Sequence, residues 1–197
     1  MVGPYTVLKN TPLPEAIGNQ VTLINVLQRI TGLTAFTLLI FQIILGALMS
    51  KFIDKLGGWI FNFHKVEGLV IWGFIFLHPL LFITARYFQF GLSEALLAIV
   101  PSVSTYTQKL YSLGKLAFIF VSIGVLSGYF RDKPLIRKSW KYLHLLNYVA
   151  FTIVALHTYL LGTDAFRPPF LWLYWVSISL VVGLVIFRVI KLRNISG

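Results

Sequence analysis

Five long apolar segments, separated by short polar stretches, make up most of the 197-residue chain. An α-helix needs about 20 consecutive apolar residues to cross the hydrocarbon core of a bilayer, and each of the five segments is long enough. A shorter apolar segment over 90–100 predicts a surface helix, and residues 51–58 predict a turn. Residues 1–22 contain three prolines and predict an extended N-terminal arm. The pattern therefore predicts transmembrane helices over residues 23–49, 59–87, 109–130, 139–162 and 170–190.

The composition agrees with an all-α membrane protein and excludes several kinds of cofactor and binding site. Hydrophobic residues make up 57% of the chain and charged residues 12%, with a mean hydropathy of +0.82, whereas a soluble domain carries about 25% charged residues. The chain has no cysteine, which excludes disulfides, iron–sulfur clusters and thiolate-bound haem. The sequence has no P-loop or G-x-G-x-x-G motif and no soluble basic domain for nucleic acid.

The net charge of +11 is distributed unevenly between the two sides of the predicted membrane. Six basic residues fall on one side: Lys9, Arg29, Arg86, Lys109, Lys115 and Arg167. Eleven fall on the other, here called the inner side: Lys51, Lys55, Lys65, Arg131, Lys133, Arg137, Lys138, Lys141, Arg188, Lys191 and Arg193. Because Lys and Arg accumulate in cytoplasmic loops, we expect an integral protein of the plasma (inner) membrane. Its N-terminus is then outside and its C-terminus cytoplasmic.

All four histidines lie in the second and fourth predicted spans. Ionisable side chains within a membrane are costly and usually functional, and facing imidazoles can bind haem iron. His64 and His78 are 14 residues apart, about 21 Å along a helix, and His144 and His157 are 13 apart, about 20 Å. The two spans run in the same direction, so the sequence predicts an inner pair, His64 with His144, and an outer pair, His78 with His157.

The angular positions of these histidines leave one point open. At 100° per residue, 14 steps return to within about 40° of the same helix face, whereas 13 steps miss it by about 140°. Either the fourth span is locally distorted, or its two histidines approach two differently placed haems.

The spacing H-x13-H on one span and H-x12-H on the next but one resembles the ferric reductase-like transmembrane domain family. The segment SWKYLHLLNYVAFTIVALH is also similar to a pattern of that family, which includes NADPH oxidases, ferric reductases and MsrQ-like haem proteins. The resemblance implies a domain over residues 23–193, built as a bundle of about five transmembrane helices that encloses two stacked b-type haems. It implies that electrons enter at the inner haem and leave from the outer one.

The function expected from these features is transmembrane electron transfer through two bis-histidine haems b. The donor is a separate flavoprotein, a bound flavin or a quinol on the inner side, and the acceptor, such as an extracytoplasmic protein, lies on the outer side. The chain would then be the membrane haem subunit of an oxidoreductase without its own NAD(P)H domain, and we expect no catalytic residues. The alternative is a haem-free transporter or scaffold whose histidines relay protons.

Several charged residues have two interpretations. Arg29 either binds a propionate of the outer haem or extends to the membrane interface. Arg86 is expected to be an interfacial anchor. Glu67, one turn from His64, either orients that imidazole or meets Lys65 or solvent. Lys138 and Lys141 could bind inner propionates, although topology alone explains them. An acidic partner is expected to dock on the basic inner surface formed by Arg131, Lys133, Arg137 and Lys138.

Overall fold

The protein is all-helical over residues 2–196, which are the residues that the computed structural model describes. Side chains at 188, 189 and 191–196 lie outside that description, and with them Arg188, Lys191 and Arg193 of the charge count. Within the described range the helices are α1 (Val2–Asn10), α2 (Leu13–Ile17), α3 (Gln20–Ala47), α4 (Met49–Leu56), α5 (Trp59–Phe90), α6 (Leu92–Ile99), α7 (Tyr106–Tyr129), α8 (Trp140–Leu161) and α9 (Phe170–Ser196).

The five predicted spans are confirmed as α3, α5, α7, α8 and α9, each with a window long and apolar enough to cross a membrane. Local signals set their ends. The Asn19 side chain accepts hydrogen bonds from the amides of Val21 and Thr22 at the start of α3. Thr105 and Gln108 form a reciprocal capping box at the start of α7. Gly91, with φ of 86°, ends α5 in a conformation that side chains rarely adopt.

Many large apolar side chains are exposed on the outside of the bundle, as expected for a surface that faces lipid. On α9, Trp172, Val182 and Phe187 are each more than half exposed. On α5, Val66 and Phe76 are exposed to a similar degree. Together with the five apolar helices, this surface indicates an integral membrane protein.

Two short segments differ from the sequence prediction. The N-terminal arm is helical rather than extended, and residues 49–56 form α4 rather than part of a turn. The prolines of the arm were misleading because proline is tolerated in the first helical turn, where its missing N–H would be unpaired anyway. Pro4 and Pro14 both lie in such first turns. Packing stabilises α1, since Thr6 and Val7 are fully buried and Gly3 lies directly against Leu33 of α3.

Four of the spans form a four-helix arrangement around the histidines. Helix α3 packs against α5 and α8, and α7 packs against the same two helices. Helices α5 and α8, which carry the histidines, therefore lie across the bundle from one another, as do α3 and α7. The fifth span, α9, packs on α3, where the Phe36 ring contacts Phe170 and Tyr174 with ring centres 5.7 Å and 5.6 Å apart. The same ring contacts Phe151 of α8 at 5.9 Å.

A buried ion pair joins the arm to the outer end of the bundle. Arg29 of α3 lies 3.2 Å from Asp164 in the α8–α9 connection, and its guanidinium also donates to Thr11 at 2.6 Å. Asn10 donates to the other Asp164 oxygen at 2.7 Å. The Asp164 side chain is only 4% exposed. The network therefore fixes three separate segments of chain to each other.

Removing this carboxylate should destabilise the fold strongly. In Asp164→Ala the Arg29 guanidinium loses its counter-charge and Asn10 loses its acceptor, so we expect a loss of about 3 kcal/mol in the free energy of unfolding. Thermal unfolding of the detergent-solubilised protein measures the change. The control is Asp132→Ala, which removes an 87% exposed carboxylate and should change the stability by less than about 0.5 kcal/mol. Equal effects of the two substitutions would contradict the structural role of Asp164.

Candidate functional site

The four histidines meet in two pairs across the bundle interior. The rings of His64 on α5 and His144 on α8 have centres 6.3 Å apart and planes at 73°. The rings of His78 and His157 have centres 6.5 Å apart and planes at 90°. The structure thus brings together the same inner and outer pairs that the sequence predicts. Their role as haem ligands stays a prediction.

Three of the four imidazoles are oriented by backbone carbonyl groups of the neighbouring helices α3 and α7. Nδ1 of His78 lies 2.8 Å from the Gln28 carbonyl on α3. On α7, the carbonyls of Gly124 and Leu110 lie 2.9 Å and 3.0 Å from Nδ1 of His144 and His157. A carbonyl only accepts, so Nδ1 carries the proton in each ring and Nε2 keeps its lone pair. This is the tautomer that a metal-binding imidazole needs. In His78 the Nε2 lone pair faces the side-chain amide nitrogen of Gln28 at 3.4 Å, a contact that a metal on Nε2 would replace.

The inner pair differs from the outer pair in its polar surroundings. Nδ1 of His64 is buried without a hydrogen-bond partner among the described residues. The same is true of one side-chain oxygen on each of Gln42, Glu67 and Asn147. Gln42 uses its amide nitrogen to donate to the His64 backbone carbonyl at 2.7 Å, so Gln42 contacts the turn that carries this imidazole. The hydrogen bond from His64 to Glu67 that was considered from the sequence is not formed here.

Each imidazole also lies against a glycine on a neighbouring helix. On α3, a Cβ added at Gly32 or Gly46 would come 2.7 Å or 3.1 Å from the ring of His78 or His64. On α7, a Cβ at Gly114 or Gly128 would come 2.8 Å or 3.0 Å from the ring of His157 or His144. These glycines were not predicted as site residues, although both pairs are spaced by 14 residues in the sequence, like His64 and His78. Their missing side chains create the space that the four rings occupy.

The geometry of both pairs fits a metal bound between two imidazoles. With a metal–nitrogen distance of about 2.0 Å and a ring centre about 1.1 Å beyond the nitrogen, two such rings have centres roughly 6.2 Å apart. The observed separations are 6.3 Å and 6.5 Å. Over the described residues, no group of three or more His, Cys, Asp or Glu side chains is gathered as for a metal held by protein alone. The histidines lie in pairs, and a bis-histidine haem iron takes two ligands from the protein.

The other charged candidates are placed as follows. Arg29 follows Gln28, whose carbonyl orients His78, and its guanidinium is held by Asp164 and Thr11. Its Nε atom is buried without a partner in the part of the chain that the structure describes. Contact of Arg29 with a haem propionate stays a prediction. Arg86 pairs with Glu94 at 2.7 Å and lies over the Phe90 ring at 4.3 Å, an arrangement that suits an interfacial anchor.

The glycine contacts predict that a Gly→Ala substitution destabilises the protein at some positions and is neutral or stabilising at another. In Gly32→Ala or Gly114→Ala the new methyl group forces the imidazole to shift, which should cost about 1–3 kcal/mol. Gly73 on α5 has no neighbouring atom within 4 Å of an added Cβ, so Gly73→Ala should be neutral or stabilise by about 0.5–1 kcal/mol. Thermal unfolding of the three variants tests this. A Gly114→Ala protein as stable as Gly73→Ala would contradict the close packing.

Comparisons with known proteins find no relative of this chain. No family model, no curated protein and no solved structure matches the chain. The resemblance to the ferric reductase-like domain therefore depends on the residues quoted above and stays a prediction.

Proposed function

We propose that this chain is a membrane cytochrome that binds two haems b and carries electrons across the bilayer. The observation that supports the proposal is the pair of imidazole contacts, each with the ring separation of a bis-histidine site, at two levels of one bundle. His64 and His144 would hold the inner haem, and His78 and His157 the outer one. Each haem, when bound, supplies reversible one-electron chemistry.

The protein's own groups orient the proposed ligands. The carbonyls of Gln28, Gly124 and Leu110 hold three rings with Nε2 available to iron. Arg29, which pairs with Asp164, directly follows Gln28, whose carbonyl orients His78. With two histidines on each iron no coordination position stays open, so the proposed role is that of an electron conduit and acceptors react at the haem edge.

The direction of transfer follows from charge. The basic side is proposed to be cytoplasmic, so electrons enter near His64 and His144 from a flavoprotein, a flavin or a quinol, and leave near His78 and His157. On the proposed docking surface, Arg131 is stacked on Phe61 at 4.4 Å and pairs weakly with Asp132 at 3.6 Å. Arg137 and Lys138 are exposed in the α7–α8 connection. Lys133 is exposed as well, and these three residues would therefore carry most of the attraction for an acidic partner.

Haem content is the direct test of the assignment. Pyridine haemochrome analysis of the purified protein should give two haems b per chain. Substituting His64 or His144 by Ala should remove one haem and leave the outer pair's spectrum, and substituting His78 or His157 should do the reverse. Asn147→Ala, which removes a polar neighbour of His144 but no proposed ligand, serves as the control. A purified protein without a Soret band would favour the haem-free transporter or scaffold instead.

Electron entry is tested by the choice of reductant. The 197-residue chain has no Gly-rich nucleotide-binding motif, so dithionite should reduce the haems while NADPH alone should not. A quinol or a reduced acidic flavodoxin should restore reduction. For the flavodoxin, the Arg137→Glu, Lys138→Glu double variant should lower the rate at least tenfold and weaken its salt dependence.

The dithionite rate of that double variant should stay unchanged, since a small reductant needs no docking surface. Lys9→Glu, Lys109→Glu is the matched control, with the same change in charge on the opposite side of the bundle. Rapid reduction by NADPH with the chain alone would overturn the need for a separate donor. Equal effects of the two double variants would overturn the proposed docking surface.

A further inference from the structure

The inner end of the bundle has an open cleft, which lies beside the proposed docking surface and shares Lys133 with it. Its volume is about 480 Å³, within the range of about 300–1,000 Å³ typical of small-molecule sites. It is lined by Lys65 from α5, Tyr129 from the end of α7, and Phe130, Asp132 and Lys133 from the connection that follows. The contact of Arg131 with Phe61 at 4.4 Å holds this connection against the first turn of α5.

The cleft carries positive charge that the protein does not neutralise. Neither Lys65 nor Lys133 has an acidic partner among the described residues, and the Lys65 ammonium lies over the Tyr129 ring, 5.5 Å from its centre. The only acid of the cleft, Asp132, is 87% exposed and lies 3.6 Å from Arg131. Two lysines facing one cleft suit a phosphate group, because an ammonium binds phosphate oxygens as a point charge.

The surroundings of the cleft are those of a membrane interface. Tyr129 and Phe130 are 45% and 40% exposed and contact each other edge to face, with ring centres 5.1 Å apart. In the same connection Leu135 is 91% exposed, although charged residues lie on both sides of it. A leucine side chain exposed beside cations can insert between lipid tails while the cations meet anionic headgroups.

We propose that the cleft between α5 and the α7–α8 connection binds the phosphate group of an anionic phospholipid. Lys65 and Lys133 contact the phosphate oxygens, the rings of Tyr129 and Phe130 border the glycerol, and Leu135 inserts among the acyl chains. Basic clefts at the ends of transmembrane helices bind anionic headgroups in this way. Lys65 follows His64 on α5, and Tyr129 follows Gly128, the α7 glycine against which the His144 ring lies. The lipid therefore lies beside the inner histidine pair and contacts the helix that carries His64.

Phosphatidylglycerol, phosphatidylcholine and inorganic phosphate are the probes for this site. Binding of each to the full-length, detergent-solubilised chain is measured by native mass spectrometry and by the shift in thermal unfolding temperature. Phosphatidylglycerol should bind more tightly than phosphatidylcholine, whose choline cation opposes the lysines. Each lysine near an anionic headgroup contributes about fivefold, so Lys65→Gln, Lys133→Gln should weaken phosphatidylglycerol binding roughly thirtyfold.

The controls separate the cleft from general surface charge. Lys51→Gln, Lys55→Gln removes the same charge from α4 on the same side of the bundle and should change binding by less than about threefold. Lys65→Arg, Lys133→Arg keeps the charges and should retain binding, which excludes misfolding as the cause of a loss. Leu135→Ser should weaken phosphatidylglycerol binding and leave inorganic phosphate unaffected.

Two results would count against the proposal. If inorganic phosphate binds through Lys65 and Lys133 while phosphatidylglycerol binds no better than phosphatidylcholine, the phosphate site stands but its source is soluble and the lipid is excluded. If the cleft variant and the α4 variant weaken binding equally, the cleft is not a site at all.

Discussion

The arrangement of the bundle depends on four imidazole rings that must fit between helices and still satisfy their polar atoms away from water. Backbone groups meet the first requirement for all four rings and satisfy Nδ1 in three of them. A glycine on α3 or α7 leaves space for each ring, and for three of the rings a carbonyl one turn earlier accepts the Nδ1 proton. The pairs are Gln28 with Gly32, Leu110 with Gly114, and Gly124 with Gly128. In each pair the two residues are four apart, and therefore stacked on one helix face.

The surroundings of His64 make the inner histidine pair chemically different from the outer pair. The outer pair has both imidazoles bonded to carbonyls, whereas His64 of the inner pair has no such acceptor among the described residues. A hydrogen bond from Nδ1 strengthens an imidazole as a metal ligand and favours the more highly charged metal. If both pairs bind haem as proposed, the two irons experience different ligand strengths. The buried oxygens of Gln42, Glu67 and Asn147 add to this difference at the inner level only.

Hydrophobic pattern alone predicted the five spans, because a bilayer imposes one length on every crossing helix. The histidine spacing predicted the two pairs, since two parallel spans with matched spacing place their histidines at the same heights. The angular mismatch of His144 and His157 could not be settled from the sequence. In the structure both rings reach α7, where their accepting carbonyls at Gly124 and Leu110 are 14 residues apart rather than 13.

Long-range contacts were beyond the sequence. Arg29 and Asp164 are 135 positions apart, and neither hydropathy nor spacing indicates that they pair. Their contact reveals how differently the two ends of the bundle are built. At the outer end a buried ion pair ties the arm, α3 and the α8–α9 connection together, next to the residue whose carbonyl holds His78. At the inner end the α7–α8 connection is exposed, basic and beside an open cleft. A protein that receives electrons from a partner needs an accessible surface of this kind on one side. A scaffold that binds lipid needs such a surface as well. If the histidines bind haem as proposed, the network at the outer end restricts contact of an acceptor with the imidazoles, and electrons would leave through the haem edge.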